Sequence, residues 1–426
     1  MNALSKNLSV LLILLSPFFC CGQALSELQA WLTDNTTKIN SADTLGFQLN
    51  KEFFNQKTII ALGEPTHGTS EAQISRHKLL EFLVQNCNVK FLALEAVSNC
   101  EAVNEFLLNG KGTAKAACKA LDMWMYDTAE TEKLMLWIRN YNLLRKANER
   151  IRFYGIDYAL QKINEHFLSD SLVANGIISK SLISRIVSAD SKTFNNKNAS
   201  VEELTVYKNE LKSLADSINL QKSLIVKKVS AAYFFYAIYL CKTLEQTIQA
   251  KILGNKLPIA YRDSCMAENV HFISATNNNA KIFVGGHNAH IRKIDKATMG
   301  FFLKKIFGAG FYTIGIFAGE ATFRAFVFNK QNSIYDLKLN QSKDLQRYSL
   351  GHELKPTSFG SFYIDFKSCN KNLIYKQLFE KSKFNLYAGW LYDPENPKKY
   401  FLWDSLTKNY DAVIYFNETF GTVAIK

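Results

Sequence analysis

The 426-residue chain has no serine in a G-x-S-x-G context, which removes the nucleophile elbow of an α/β-hydrolase from consideration. It has no G-x-G-x-x-G and no Walker loop, so neither dinucleotide nor nucleoside-triphosphate chemistry is announced. Six cysteines follow residue 24 (Cys87, Cys100, Cys118, Cys241, Cys265 and Cys369), and no two are spaced as C-x-x-C, which excludes a zinc ribbon and a dithiol redox motif. Acid is also scarce: 38 Asp and Glu stand against 51 Lys and Arg, a formal charge of +13. The basic residues are dispersed, which reads as a solvated lysine-rich surface and not as a nucleic-acid footprint. No apolar run after the N-terminus reaches the ~18 residues of a membrane span. The best candidate, residues 311–328, is interrupted by Glu320 and Arg324 and reads as two strands of a hairpin.

What is present begins with an export signal. Lys6 supplies the positive start, residues 10–19 the apolar stretch, and Gly22-Gln23-Ala24 a small-x-small cleavage site, so residues 1–24 read as a secretory signal peptide and the mature chain as secreted or periplasmic. Its loss would lower the charge by one, to +12, because residues 1–24 contain Lys6 and no acid. Cys20 and Cys21 would allow a lipoprotein, but Phe18 and Phe19 precede them where lipidation calls for small residues. Export would permit one or two disulfides, with a pairing that spacing does not give.

The remainder, 25–426, is 47% hydrophobic over the full chain, ample for a large core. Short apolar runs at 58–64, 89–95, 151–157 and 280–286 read as buried strands, and about twenty residues of helical pattern join the first two in a βαβ unit. In that helix Ser70 and Gln73 have capping-box spacing, and Ala72, Arg76, Leu79 and Leu83 share one stripe. Residues about 160–275 read as a helical insert or lid, and 310–426 as strand-rich. The fold expected is therefore α/β: a central, largely parallel sheet flanked by helices, with a helical subdomain and a strand-rich C-terminal part.

Four of the expected strands end in chemistry: Glu64, Glu95, Asp157, and the segment His287-Asn288-Ala289-His290. In open α/β sheets ligands bind beyond the carboxyl ends of the strands, so these stretches should converge. Glu64 lies three residues before His67 in a Gly-bounded loop, a spacing that lets the carboxylate hold one ring nitrogen while the other faces a reactant. Arg76, on an apolar stripe, requires an anion, and Glu95 is the natural partner. His287 and His290, with the Asn288 amide between them, suit oxyanion stabilisation or protonation of a leaving alcohol; the same residues could also supply a metal with imidazole and carboxylate ligands.

These motifs carry a family resemblance. The loop "LGEPTHGTSE" with Arg76 and "LALE" downstream resembles the erythromycin esterase family, whose hallmark is a G-E-x-x-H-G loop. Further matches are "WIRNYN" (137–142), "FYGIDY" (153–158), "RDSCMAENV" (262–270), "GGHNAHI" (285–291) and "YDAVIYFNETFGT" (410–422), spread over nearly all the mature chain. The resemblance implies His67 as a general base for water, oriented by Glu64. Arg76 and Glu95 would shape the site, and His287 and His290 would assist at the carbonyl or leaving oxygen. It further implies hydrolysis of a small-molecule ester or lactone, a macrolide ring included, with no obligatory metal or other cofactor and no covalent intermediate. Pro65 departs from the small residue common at that position. The competing expectations are a metal-dependent hydrolase and a secreted haem- or metal-binding protein of related fold.

Overall fold

The computed structural model describes residues 24–41, 50–98, 100–158, 165–195, 199–343 and 348–425, so the expected signal segment lies outside the described residues save for Ala24. The strands are β1 (Thr37–Ile39), β2 (Ile59–Glu64), β3 (Phe91–Val97), β4 (Arg152–Asp157), β5 (Ile282–His287), β6 (Phe311–Asn329), β7 (Ile334–Lys343), β8 (Ser361–Asp365), β9 (Lys383–Leu386), β10 (Phe401–Asp404) and β11 (Ala412–Thr419). The helices that position the residues of interest are α1 (Ser70–Cys87), α2 (Ala129–Leu143), α3 (Lys180–Asn195), α4 (Val201–Leu220), α5 (Lys222–Lys228), α6 (Ala231–Leu253), α7 (Tyr261–Thr276) and α8 (Met299–Phe307). Two compact units are formed, a smaller one from Met1–Leu49, Glu64–Ser75 and Ile314–Gly421 and a larger one from Asn50–Gly63, Arg76–Thr313 and Thr422–Lys426.

In the larger unit β3 pairs in parallel with both β4 and β5, and β2 lies on the far side of β5. The parallel, helix-flanked sheet is the α/β arrangement expected. β2 and β5 are buried along their whole length, which is why they read as unbroken apolar runs and not as alternating ones. The crossover from β2 through α1 to β3 leaves a gap that β5 fills. Helix α1 begins at Ser70 itself, so that residue is the first of the helix and not its cap.

β3 carries a bulge. Its register with β4 pairs Leu94 with Gly155 but Val97 with Asp157, three steps on one strand against two on the other. The extra residue falls at Glu95–Ala96 and re-aims the strand end. A glycine opposite is obligatory, because a Cβ on Gly155 would sit 1.8 Å from the Val97 carbonyl oxygen. Gly155→Ala is expected to cost about 1–3 kcal/mol in a denaturant titration, since backbone on both sides must move.

The region about 160–275 is helical as expected. Leu204, Tyr207, Leu211, Leu214 and Ile218 on α4 and Phe234, Ala237, Cys241, Leu244 and Ile248 on α6 repeat at steps of three and four, and both rows enter one buried cluster with Ile183 and Ile186 of α3. That spacing makes an apolar seam on each helix. Tyr207 ties the packing to α3 through a 2.6 Å hydrogen bond to Asp190.

In the smaller unit β11 runs parallel to β6 and antiparallel to β8, β8 pairs antiparallel with β1, and β7 pairs antiparallel with β6. The expectation of a hairpin within 311–328 is corrected here: those residues form the single 19-residue strand β6, and the hairpin is β6–β7. Glu320 and Arg324 do not break it because burial alternates over residues 317–326, placing both on the less buried face. Among the described residues no helix is long and apolar enough to cross a membrane.

Candidate functional site

In the smaller unit the loop after β2 is anchored at each step. Pro65 accepts the amide of Ala388 at 3.1 Å, Gly68 accepts that of Arg324 at 3.1 Å, and Ser70 donates to Phe420 at 2.8 Å. The hydroxyls of Thr66 and Thr69 meet at 2.6 Å. Gly68 is required, since a Cβ there would stand 2.1 Å from the Arg324 carbonyl. This fixed loop brings His67 Nδ1 to 2.8 Å from Glu64 Oε1, with both side chains buried. A carboxylate on Nδ1 selects the tautomer with hydrogen on Nδ1 and the lone pair on Nε2. Beside Nε2 stands Gly389, whose missing side chain would otherwise begin 3.7 Å from that nitrogen. The pair thus has the form of an oriented general base.

The larger unit holds the second set. Asp157 ends β4, Glu95 lies in the β3 bulge, and both are buried. Between them is Arg262 from the first turn of α7, whose Nη2 donates to Asp157 Oδ2 at 2.6 Å and to Glu95 Oε1 at 2.9 Å. His290 Nδ1 meets Asp263 Oδ2 at 2.8 Å, and Asp263 also accepts the amide of Met299 at the start of α8. His290 Nε2 lies 3.2 Å from Glu95 Oε1 and 3.3 Å from Arg262 Nη1. Burial alone would lower the imidazole's pKa, but Glu95 and Asp263 outweigh it and hold the value up at about 10. His290 is therefore an imidazolium at neutral pH. Glu95 and Asp157 raise the Arg262 pKa against its own desolvation.

His287 is set differently. Its backbone amide donates to Glu95 Oε2 at 2.9 Å, and its Nδ1 accepts the Ala289 amide at 3.3 Å, so the neutral ring carries its proton on Nε2 as a donor. Asn288 is fully buried against β2, where a Cβ on Gly63 would meet its Oδ1 at 2.1 Å. Arg76 is 2% exposed; its guanidinium lies over the Tyr126 ring at 5.8 Å and its stem against Gly285.

Arg262 and Asp263 were not singled out as site residues from sequence. The available signal was an adjacent cation and anion in the first turn of a helix, in the segment "RDSCMAENV". The cluster sums three carboxylates, Glu95, Asp157 and Asp263, against two cations, Arg262 and charged His290, a net −1. It is better suited to giving a proton than to retaining a free anion. Among the described residues no three His, Cys, Asp or Glu side chains are grouped so as to hold a metal ion. The six cysteines are free and buried, so the disulfides that export would permit are not formed. Burial pushes the thiols of Cys118 and Cys241 up to about 12, which makes them inert as nucleophiles.

Buried strands of this sheet end in carboxylate and histidine, at Glu64, Asp157 and His287. The erythromycin esterase family model matches residues 84–419, and the chain belongs to that family. The match begins past the Glu64–His67 loop. The chain is 24% identical to erythromycin esterase type II of Escherichia coli over 68% of this chain and 76% of that protein. It is 21% identical to the putative hydrolase YbfO of Bacillus subtilis over 98% of each. Its fold is shared with a succinoglycan biosynthesis protein (TM-score 0.75, 18% identity, 95% of this chain and 99% of that one) and with a mutant erythromycin esterase in its open conformation (TM-score 0.60, 16% identity, 88% and 93%). Family and relatives together mark the protein as an esterase-like hydrolase.

Proposed function

We propose that the protein hydrolyses a carboxylic ester or lactone with water deprotonated by His67, without a covalent intermediate. The observation that carries this is the 2.8 Å contact between Glu64 Oε1 and His67 Nδ1 in a loop anchored on all sides. Glu64 keeps the lone pair on Nε2 and stabilises the imidazolium formed when Nε2 takes the proton. The water oxygen then bonds to the carbonyl carbon, and the tetrahedral intermediate collapses by expelling the alkoxide. In the larger unit, His287 Nε2–H is suited to accepting carbonyl charge as a donor, and His290, already protonated, to supplying the alkoxide's proton. Glu95, Asp157, Arg262 and Asp263 hold those rings, and Arg76 and Asn288 back the strand ends.

The Escherichia coli relative's name supports a macrolide lactone among the substrates, and the sequence of residues 1–24 supports action outside the cytoplasm, secreted or periplasmic. The test is hydrolysis of a panel of macrolides, simple lactones and aryl esters by purified protein, with and without EDTA. Turnover of at least one class that survives EDTA is expected. Turnover abolished by EDTA would replace the mechanism with a metal-dependent one, and no turnover together with stoichiometric haem or metal in the protein would replace the function with binding. If His67 and His290 serve one reaction, the double variant will lose far less than the product of the single losses.

A further inference from the structure

A cavity of about 530 Å³ lies in the smaller unit between the tip of the β6–β7 hairpin and the segment 391–400, within the ~300–1,000 Å³ of small-molecule sites. Its walls are aromatic in pairs. Phe328 and Tyr335 oppose each other across the hairpin with ring centres 5.2 Å apart, and Tyr392 and Tyr400 pair at 4.8 Å on the other side. Phe328 and Tyr335 remain 47% and 53% exposed. The walls are fixed to each other: Phe326 donates its amide to Trp390 and accepts that of Tyr392, and Lys330 at the hairpin tip meets Glu395 at 2.6 Å. The charges around it are matched one to one, Lys330 with Glu395, Lys399 with Asp393 and Lys338 with Asp336.

The occupant such a site selects has flat apolar faces for the rings, polar edges for the rim and no net charge, since a charged ligand would have to break one of the rim pairs. We infer that this cavity is a second ligand site, for a neutral saccharide: a pyranose ring presents C–H faces to aromatic rings and hydroxyls to the Tyr335 hydroxyl and the Gln331 amide at the rim. None of the hydrolytic residues lines it, and it would tether the protein to glycan.

The test is calorimetric titration with maltotriose, cellotriose, xylotriose and chitotriose, with Trp390 fluorescence as a second readout. Saturable binding of at least one is expected, weakened about tenfold by Tyr335→Ala or Tyr400→Ala while ester turnover is unchanged. Because Tyr335 is half exposed, its replacement leaves the fold intact, which circular dichroism checks. No saturable binding to any of the four, or binding that both variants retain, overturns the inference. A dimer in sedimentation that Tyr335→Ala converts to monomer also overturns it, by making this face an interface between copies.

Discussion

His67→Ala and His67→Gln are both expected to retain the fold and lose turnover by about 10²–10⁴, the usual contribution of a positioned general base. The pair of variants separates chemistry from stability. Alanine leaves the Glu64 carboxylate, 1% exposed, without the imidazole that now hydrogen-bonds it, at a cost of about 1–3 kcal/mol. Glutamine can still donate to Glu64 but has no basic nitrogen. A loss confined to alanine, with His67→Gln near wild type in kcat, would show that the ring only braces the loop and would sink the base assignment. Glu64→Gln should lie between wild type and His67→Gln, because the water is still within reach of a ring whose tautomer is no longer selected.

Why Glu64 and His67 were visible in the sequence and Arg262 was not is a matter of range. The first pair is three residues apart in one loop, so its geometry is set locally. Arg262 reaches partners 105 and 167 positions away, contacts created only when α7 packs beside β3 and β4. The same reasoning covers the fold. β2, β3, β4 and β5 could be read because a strand buried on both faces is an apolar run. In β6 the charged residues look like a break in sequence, yet over residues 317–326 every second residue is less buried and tolerates charge. The bulge at Glu95 had no legible mark, since it depends on a glycine one strand away. Arg76 was correctly placed on a buried stripe, yet the cation that bridges Glu95 and Asp157 comes from α7.

The second large effect is on stability against pH. In the folded protein His290 titrates at about 10, against its ordinary 6.5. Below pH 6.5 the ring is charged in folded and unfolded chains alike, and its ion pairs with Glu95 and Asp263 contribute fully. Between pH 6.5 and 10 the unfolded chain has released the proton and the folded one keeps it, so folding takes up a proton and stability falls as pH rises; above 10 the contribution is gone. Arg262 Nη1, 3.3 Å from Nε2, tempers the loss, because a neutral Nε2 accepts its hydrogen bond. The net expectation is a decline on the order of 2–4 kcal/mol in wild type between pH 6.5 and 10 beyond that of His290→Gln. Urea midpoints of both proteins across this range give the difference directly, and tyrosines, lysines and cysteines titrate equally in the two and cancel. Asp263→Asn should move the wild-type decline to lower pH by removing the carboxylate on Nδ1. Parallel curves for wild type and His290→Gln would mean that the folded ring is neutral at pH 7, in which case His290 could accept a proton during turnover but could not supply one.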